Sequence, residues 1–235
     1  MASPGSVLSA NAVAPSKPRR SPRIVLGLVA LAALVAAAIF VLGRGWEGSH
    51  TLTASGTPTD RFDRPDSAAG LGVTDDGRTW QTPAGPWSLD GGRAVPLGAN
   101  PLPTVWFAIV DASSTSGVIG VTTTTPQEGA GLVLRFQDQE NYWSFTASPT
   151  TGGAVVRLIV RGVVAREQAI PFAVPEPGSR LEVRFDGNWL DFRLDGMRVA
   201  GMYDTTLADA TGVGLIAAGG LAISTRFDDF YALAR

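Results

Sequence analysis

An uninterrupted apolar run from Ile24 to Leu42 is the feature that most restricts how this chain can fold. It contains no charged residue, and as a helix it would extend about 28 Å, close to the roughly 30 Å of a bilayer core. Four basic residues lie between positions 17 and 23, whereas only Arg44 follows closely. By the positive-inside rule the N-terminus stays in the cytosol. We therefore expect one transmembrane helix over residues 24–43.

A cleaved secretory signal peptide is the alternative interpretation of this run. Signal peptides have shorter apolar regions, followed by a cleavage site of small residues. Here the one candidate motif, Ala36-Ala37-Ala38, lies inside the apolar run. The sequence therefore favours an uncleaved signal anchor, which makes the lipid bilayer a partner through residues 24–43.

The rest of the chain divides on either side of this run. Residues 1–23 are rich in proline and have no apolar periodicity, so we expect a disordered cytosolic tail. Residues 44–60 are rich in Gly, Ser and Thr and are typical of a flexible stalk. Residues 61–235 are long enough for one extracytoplasmic domain with its own core.

Composition excludes several functional classes. From Gly45 onward 14 arginines face 21 Asp and Glu residues, a net charge of −7, and nucleic-acid binding needs a basic surface instead. There is no cysteine, which excludes disulfides and thiol chemistry. The single histidine, His50, lies in the predicted stalk, so a Ser-His-Asp triad or a multi-histidine metal site within the domain is excluded as well.

From Arg61 onward, short apolar or alternating segments are separated by Gly, Pro, Asp and Asn, a pattern typical of β-strands and turns. The alternation is clearest in Arg180–Asp186 and Trp189–Asp195, which predict a hairpin with Asp186-Gly187 in its turn. We predict an all-β domain, an antiparallel two-sheet jelly-roll sandwich. The other predicted strands are Thr104–Ala112, Gly131–Gln137, Asn141–Ala147, Ala154–Arg161, Val163–Phe172, Gly212–Ala217 and Ser224–Ala232.

A set of short motifs in this order resembles a known family. The motifs are Arg61-Phe62-Asp63-Arg64, the run Gly85–Gly92 (GPWSLDGG), Gly131–Phe136 (GLVLRF), Asn141-Tyr142-Trp143, Leu194-Asp195-Gly196, Gly212–Leu215 (GVGL) and Phe227–Phe230 (FDDF). Residues 61–235 are similar to the concanavalin-A-like lectin and glucanase jelly rolls, including laminin-G-like domains of bacterial surface proteins. The resemblance implies the fold, whereas function varies widely within that fold.

The resemblance also allows a test for catalysis. Hydrolases of this family carry a Glu-x-Asp-x-Glu strand motif that supplies the nucleophile and the general acid, and this sequence has no such motif. Its nearest carboxylate cluster, Asp138-Gln139-Glu140, lies in a predicted turn. We name no catalytic residue, and the sequence favours a domain that is not an enzyme.

Aromatic side chains are the remaining candidates for a binding site, because Trp and Tyr can stack on sugars and also form hydrogen bonds. The candidates are Tyr142, Trp143, Trp189 and Trp87, with burial in the core as the alternative for each. Tyr142 and Trp143 are neighbours on one strand, so their side chains should point to opposite faces.

The leading functional hypothesis is a membrane-anchored binding module at a bacterial cell surface, whose partner is a glycan or another component of the envelope. One alternative is a glycan-active hydrolase with a non-standard carboxylate site. Another is a purely structural or protein-interaction module.

The resemblance further implies a structural Ca²⁺ that ties the two ends of the domain together. The matching positions are Asp63, Gly91 or Gly92, and Asp228 or Asp229. Carboxylate and carbonyl oxygens are the ligands that calcium prefers. The alternative is that Asp228 and Asp229 face solvent or pair with Arg226.

Overall fold

The structure, a computed structural model, describes residues 59–98, 105–220 and 222–234. Within these residues fifteen strands, all paired antiparallel, form two sheets. The strands are β1 (Thr59–Asp60), β2 (Gln81–Ala84), β3 (Trp87–Leu89), β4 (Ala94–Pro96), β5 (Val105–Asp111), β6 (Gly117–Thr123), β7 (Ala130–Asp138), β8 (Asn141–Ser148), β9 (Gly153–Val160), β10 (Val163–Ile170), β11 (Ser179–Asp186), β12 (Trp189–Leu194), β13 (Met197–Tyr203), β14 (Gly212–Ala218) and β15 (Phe227–Ala234).

The two sheets confirm the predicted all-β, two-sheet sandwich. The eight-stranded sheet has the order β13-β12-β11-β6-β15-β4-β3, with β1 paired to β15, and the seven-stranded sheet has the order β10-β9-β8-β7-β14-β5-β2. Sequence neighbours such as β4 and β5 lie in different sheets, as in a jelly roll. Apolar side chains from both sheets form the core between them, where the rings of Phe145 and Phe192 have centroids 5.4 Å apart.

The N-terminal predictions lie mostly outside the described residues. These are the tail 1–23, the transmembrane helix 24–43 and the stalk as far as residue 58. No helix in the described ranges is long and apolar enough to cross a bilayer. The last two residues of the predicted stalk, Thr59 and Asp60, form β1, so the folded domain extends at least two residues before the predicted boundary at 61.

All nine predicted strands are present, with ends shifted by at most three residues. The predicted hairpin is β11–β12, in which Leu181 pairs with Leu194 and Asp186 with Trp189. Its turn has Gly187 at φ 53°, the left-handed conformation that this turn was expected to need. Strands β6 and β13 were not predicted. Both contain a glycine, Gly120 and Gly201, that faces away from the core and interrupts the alternation.

The first strand is fixed to the sandwich by a buried carboxylate. Asp60 has no solvent exposure, and its two oxygens accept hydrogen bonds from Arg64 Nη1 at 2.6 Å and Arg64 Nη2 at 2.9 Å. The backbone N–H of Phe62 donates to it at 2.8 Å and Trp80 Nε1 at 2.7 Å. Four donors therefore compensate the loss of water around this charge.

We expect Asp60→Ala to lower the free energy of unfolding by about 3–5 kcal/mol, because it leaves Arg64 without its buried partner. Urea unfolding of the full chain in detergent micelles, followed by tryptophan fluorescence, measures the loss. The control is Asp75→Ala, which removes the exposed pair with Arg61 and should cost about 1 kcal/mol or less. A similar small loss for both variants would contradict the assignment.

Candidate functional site

The outer face of the seven-stranded sheet, turned away from the core, carries one of the predicted aromatic residues. Tyr142 points to this face and Trp143 to the core. The Tyr142 ring packs against Phe107, with centroids 5.0 Å apart, and Phe107 packs against Phe136 at 5.1 Å. Only 7% of Tyr142 is exposed, and this burial raises the pKa of its phenol. Tyr142 therefore offers almost no surface to a ligand.

Two further predicted binding residues lie inside the core. Trp87 is buried on β3 and packs against Phe227, with ring centroids 5.9 Å apart. Trp143 is buried on β8, and its indole N–H points to the carbonyl of Thr206 at 3.4 Å. Neither ring has a free face, so both residues fit the core alternative given for them above.

Trp189 is the predicted aromatic residue that reaches the surface. It lies on β12 with its side chain on the outer face of the eight-stranded sheet, between its cross-strand neighbours Asp186 and Tyr203. Tyr203 is 66% exposed and Trp189 is partly exposed. Directly opposed residues on antiparallel strands have Cβ atoms about 5 Å apart. The two side chains therefore start from neighbouring positions on one accessible surface.

Arg198, on β13, completes this surface. Its guanidinium carbon lies 5.3 Å from the centre of the Trp189 ring, within the range of a cation–π contact. A Cβ at Gly201 would collide with the same guanidinium, so the glycine leaves the space in which it lies. Arg198 Nε is 3.5 Å from Oδ1 of Asp191, a carboxylate that is almost fully buried.

A buried cation positions the Trp189–Tyr203 pair from within the sandwich. Arg135 on β7 donates from Nη1 to the carbonyl of Asp204 at 2.8 Å and from Nη2 to the carbonyl of Gly187. These carbonyls lie two residues before Trp189 and one residue after Tyr203. Burial lowers the pKa of the Arg135 guanidinium. The guanidinium nevertheless has hydrogen-bond acceptors in these carbonyls. The two chain segments that carry the aromatic pair are thus held by one side chain.

Two other arginines on this face donate hydrogen bonds within the chain, whereas Arg180 lies 5.6 Å from the centre of the Tyr231 ring. Arg184 Nε donates to Glu182 at 2.8 Å, and the Tyr231 hydroxyl donates to the same carboxylate at 2.7 Å. Burial and the Glu182 carboxylate together raise the pKa of Tyr231. Arg193 donates to the carbonyl of Gly196 at 3.0 Å and to Asp191 at 3.3 Å.

The residues proposed for calcium lie together where the two ends of the domain meet. An ideal Cβ at Gly92 would be 3.7 Å from Asp63 Oδ1 and 4.0 Å from the carbonyl oxygen of Phe62. Burial raises the pKa of Asp228, and the charges of Asp229 and Asp63 raise it further.

Two observations restrict which residues could act as calcium ligands. The backbone N–H of Gly91 donates to Asp66 at 2.7 Å, and a Cβ at Gly91 would contact nothing, so Gly92 lines the space. Among the described residues, no three Asp, Glu or His side chains lie close enough to hold a metal alone, so a site here needs backbone carbonyls.

The carboxylate of Asp138, in the turn after β7, has a structural role. Asp138 accepts hydrogen bonds from the backbone N–H of Glu140 at 2.8 Å and from the side chain of Asn141 at 2.8 Å. This arrangement closes the turn between β7 and β8. The Asp138 carboxylate is therefore engaged within the turn that the sequence predicted for this cluster.

Sequence reasoning missed Tyr203 and Arg198. The pairing of β12 with β13 shifts between Phe192 and Arg193, and this irregularity breaks the alternation that would have placed both side chains. A signal was present nonetheless, because the apolar residues Leu190, Phe192 and Leu194 of β12 alternate with Trp189 and its polar neighbours. An aromatic residue near the end of the following segment is its natural cross-strand partner.

No protein-family model matches the sequence, and no curated protein matches it either. Among solved structures, the β-glucanase of Bacillus licheniformis is similar with a TM-score of 0.52 at 9% identity, covering 77% of this chain and 100% of that chain. The apo Crh5 transglycosylase gives a TM-score of 0.52 at 14% identity, covering 77% and 85%. The GH43 BlXynB protein from Bacillus licheniformis gives 0.50 at 18% identity, covering 75% and 39%. At these identities the likeness establishes a shared fold, the antiparallel two-sheet jelly roll.

Proposed function

We propose that this protein is a membrane-anchored module that binds glycans outside the cell through the surface formed by Trp189, Tyr203 and Arg198. The observation that carries the proposal is the exposed cross-strand pair of Trp189 and Tyr203. Aromatic faces of this kind stack on the C–H surfaces of sugars, and their polar tips hydrogen-bond to hydroxyls.

The polar groups around the pair support this proposal. Asn188 Nδ2 donates to the Tyr203 hydroxyl at 3.2 Å, which leaves that hydroxyl able to donate to a ligand. The solved structures of similar fold include a β-glucanase and a transglycosylase, and their names accord with a glycan ligand. A hydrolase remains the second hypothesis, but the carboxylate of Asp138 is engaged in a turn by the backbone N–H of Glu140 and by Asn141.

We expect the full chain in detergent micelles to be retarded in native gels that contain a glycan, across a panel of neutral and acidic polysaccharides. Trp189→Ala and Tyr203→Ala should each weaken binding about tenfold or more, because both remove stacking area at the centre of the site. The control is Phe172→Ala, which removes an aromatic side chain that is 73% exposed elsewhere on the domain. Equal losses for all three variants, or retardation by no glycan, would refute the proposed site.

The membrane anchor remains a proposal that rests on the sequence. The charge-free run 24–42 and the basic residues before it support a single span with the N-terminus in the cytosol. The domain would then lie outside the cell, where envelope glycans are accessible to it.

The absence of cysteine makes this topology directly testable. We expect Asp209→Cys to react with a membrane-impermeant maleimide added to intact spheroplasts, whereas Ser6→Cys should react only after the membrane is permeabilised. Labelling of Ser6→Cys but not of Asp209→Cys in intact spheroplasts would reverse the topology. Loss of the N-terminal segment from the mature protein would support a cleaved signal peptide instead.

We further propose that calcium binds between the ends of the domain, with Asp63, Asp228 and the carbonyl of Phe62 as ligands beside Gly92. The residues fit a hard cation, because a carboxylate oxygen of Asp63 and the carbonyl oxygen of Phe62 both lie within 4.0 Å of the Cβ position at Gly92. Burial and the charges of Asp229 and Asp63 raise the pKa of Asp228, and a cation would relieve the repulsion between these carboxylates. Arg93 Nε, 3.8 Å from Asp228 Oδ2, is the competing cation in the protein itself.

Calcium at a hundred times its dissociation constant should stabilise the full chain by about 2.7 kcal/mol, a rise in Tm of about 5–10 °C for a domain of this size. Asp63→Asn and Asp228→Asn should remove the rise, and Asp209→Asn should keep it. A raised carboxyl pKa means that the folded protein holds this proton more tightly than the unfolded chain does. Protons therefore compete with calcium, and the rise should shrink as the pH falls through the pKa of Asp228. A Tm that does not change with calcium at any pH would exclude the site.

A further inference from the structure

We infer that the Trp189–Tyr203 surface is specific for glycans that carry carboxylates, such as polymers of uronic acids, and that Arg198 binds the carboxylate. This inference rests on the proposed function and names the class of ligand. It is carried by the position of one guanidinium and by the absence of any hydrogen bond from this guanidinium to the residues that the structure describes.

The Arg198 side chain is held in place before any ligand arrives. Gly201 leaves the space beneath it, the Trp189 ring lies beside it, and Asp191 attracts its Nε from 3.5 Å. A charged group that is already oriented loses less conformational entropy when it binds. A glycine, an aromatic ring and a carboxylate shared with Arg193 thus hold one arginine in place.

The donors of Arg198 are nevertheless unused. None of its guanidinium N–H groups makes a hydrogen bond to the residues that the structure describes, and 42% of its side chain is exposed. Arg184 on the same face is equally exposed at 42%, but its Nε donates to Glu182 at 2.8 Å. A planar guanidinium with free N–H groups matches a carboxylate in bidentate geometry.

Local charge favours an anion at this point even though the domain is acidic. Asp191 is shared between Arg193 and Arg198, at 3.3 and 3.5 Å, which leaves one positive charge in excess. Of the other carboxylates on this face, Glu182 lies opposite Arg193 and accepts hydrogen bonds from Arg184 and Tyr231, and Asp186 lies opposite Trp189. Ions screen more distant charges beyond about 8 Å at physiological salt, so the net charge of −7 does not prevent local binding of a carboxylate.

Stacking and charge together define the ligand more narrowly than either does alone. A free anion has no surface for the two rings, and a neutral sugar has no acceptor that neutralises the guanidinium. A uronic acid has an apolar ring face and a planar carboxylate within one residue. The surface therefore selects acidic sugars over their neutral counterparts.

The test uses the full chain in detergent micelles with polygalacturonate, alginate and hyaluronan, each beside its methyl-esterified form. Esterification removes the charge and leaves the sugar backbone in place. We expect at least one acidic polymer to bind about tenfold or more tightly than its ester, since a hydrogen-bonded ion pair is lost. Raising the salt concentration should reduce this preference.

Variants separate the carboxylate contact from the stacking contact. Arg198→Gln should abolish the preference for the acid, so that acid and ester bind equally, whereas Arg198→Lys should keep part of the preference. Arg184→Gln, matched in exposure, should keep the preference, whereas Trp189→Ala should weaken binding of both forms.

The outcomes distinguish the two levels of the proposal. Equal binding of acid and ester, or binding of neutral glycans only, would overturn the role of Arg198 and leave glycan binding intact. Retardation by no polymer of either kind would overturn both. A preference that survives Arg198→Gln would assign the carboxylate to another residue and refute the inference.

Discussion

The buried carboxylate of Asp60 fixes the N-terminal end of the domain at the point where it meets the last strand. Within the described residues, two residues of β1, Thr59 and Asp60, pair with β15, too few to hold a strand in place by backbone hydrogen bonds alone. Asp60 adds Arg64 and Trp80 as side-chain partners. Trp80 in turn packs between Phe62 and Phe230, at 6.0 and 5.0 Å. Hydrogen bonding and aromatic packing thus close the same end of the sandwich.

This closure explains why the proposed calcium ligands are adjacent although they are distant in sequence. Once Asp60 pairs beside Phe230, Asp63 follows it on the same end of the domain as Asp228. A cation at that point would join segments that Asp60 already joins. The metal would therefore reinforce an existing contact, and the fold does not depend on it alone.

The sequence predicted the sandwich well because most strands alternate strictly. β11 and β12 show alternation over their full length, and their register follows from it. The short strands β1 to β4 could not be predicted, because two to four residues carry no period. Asp60 was missed for a related reason: its carboxylate is buried by partners up to twenty residues away, and no local pattern distinguishes it from the exposed Asp63.

The binding surface was predicted in part, because residue type identifies an aromatic side chain but not its exposure. Trp143 and Trp189 both lie on strands in which polar and apolar residues alternate, yet Trp143 faces the core and Trp189 faces outward. Tyr142 does point outward, but Phe107 and Phe136 enclose it. Exposure depends on neighbours from other strands, and this information is absent from any single segment.

Two glycines on the outer face of the eight-stranded sheet each leave space for a large side chain from a neighbouring position. Gly120 makes room for the ring of Tyr231, and Gly201 makes room for the guanidinium of Arg198. The Tyr231 hydroxyl donates to Glu182, which also accepts from Arg184, so the hydroxyl over Gly120 is satisfied within the chain. Over Gly201, Arg198 compensates the buried charge of Asp191 from 3.5 Å and contacts the Trp189 ring. Its guanidinium makes no hydrogen bond to the described residues, and this difference from Tyr231 is why we propose that a ligand supplies the acceptor at Gly201.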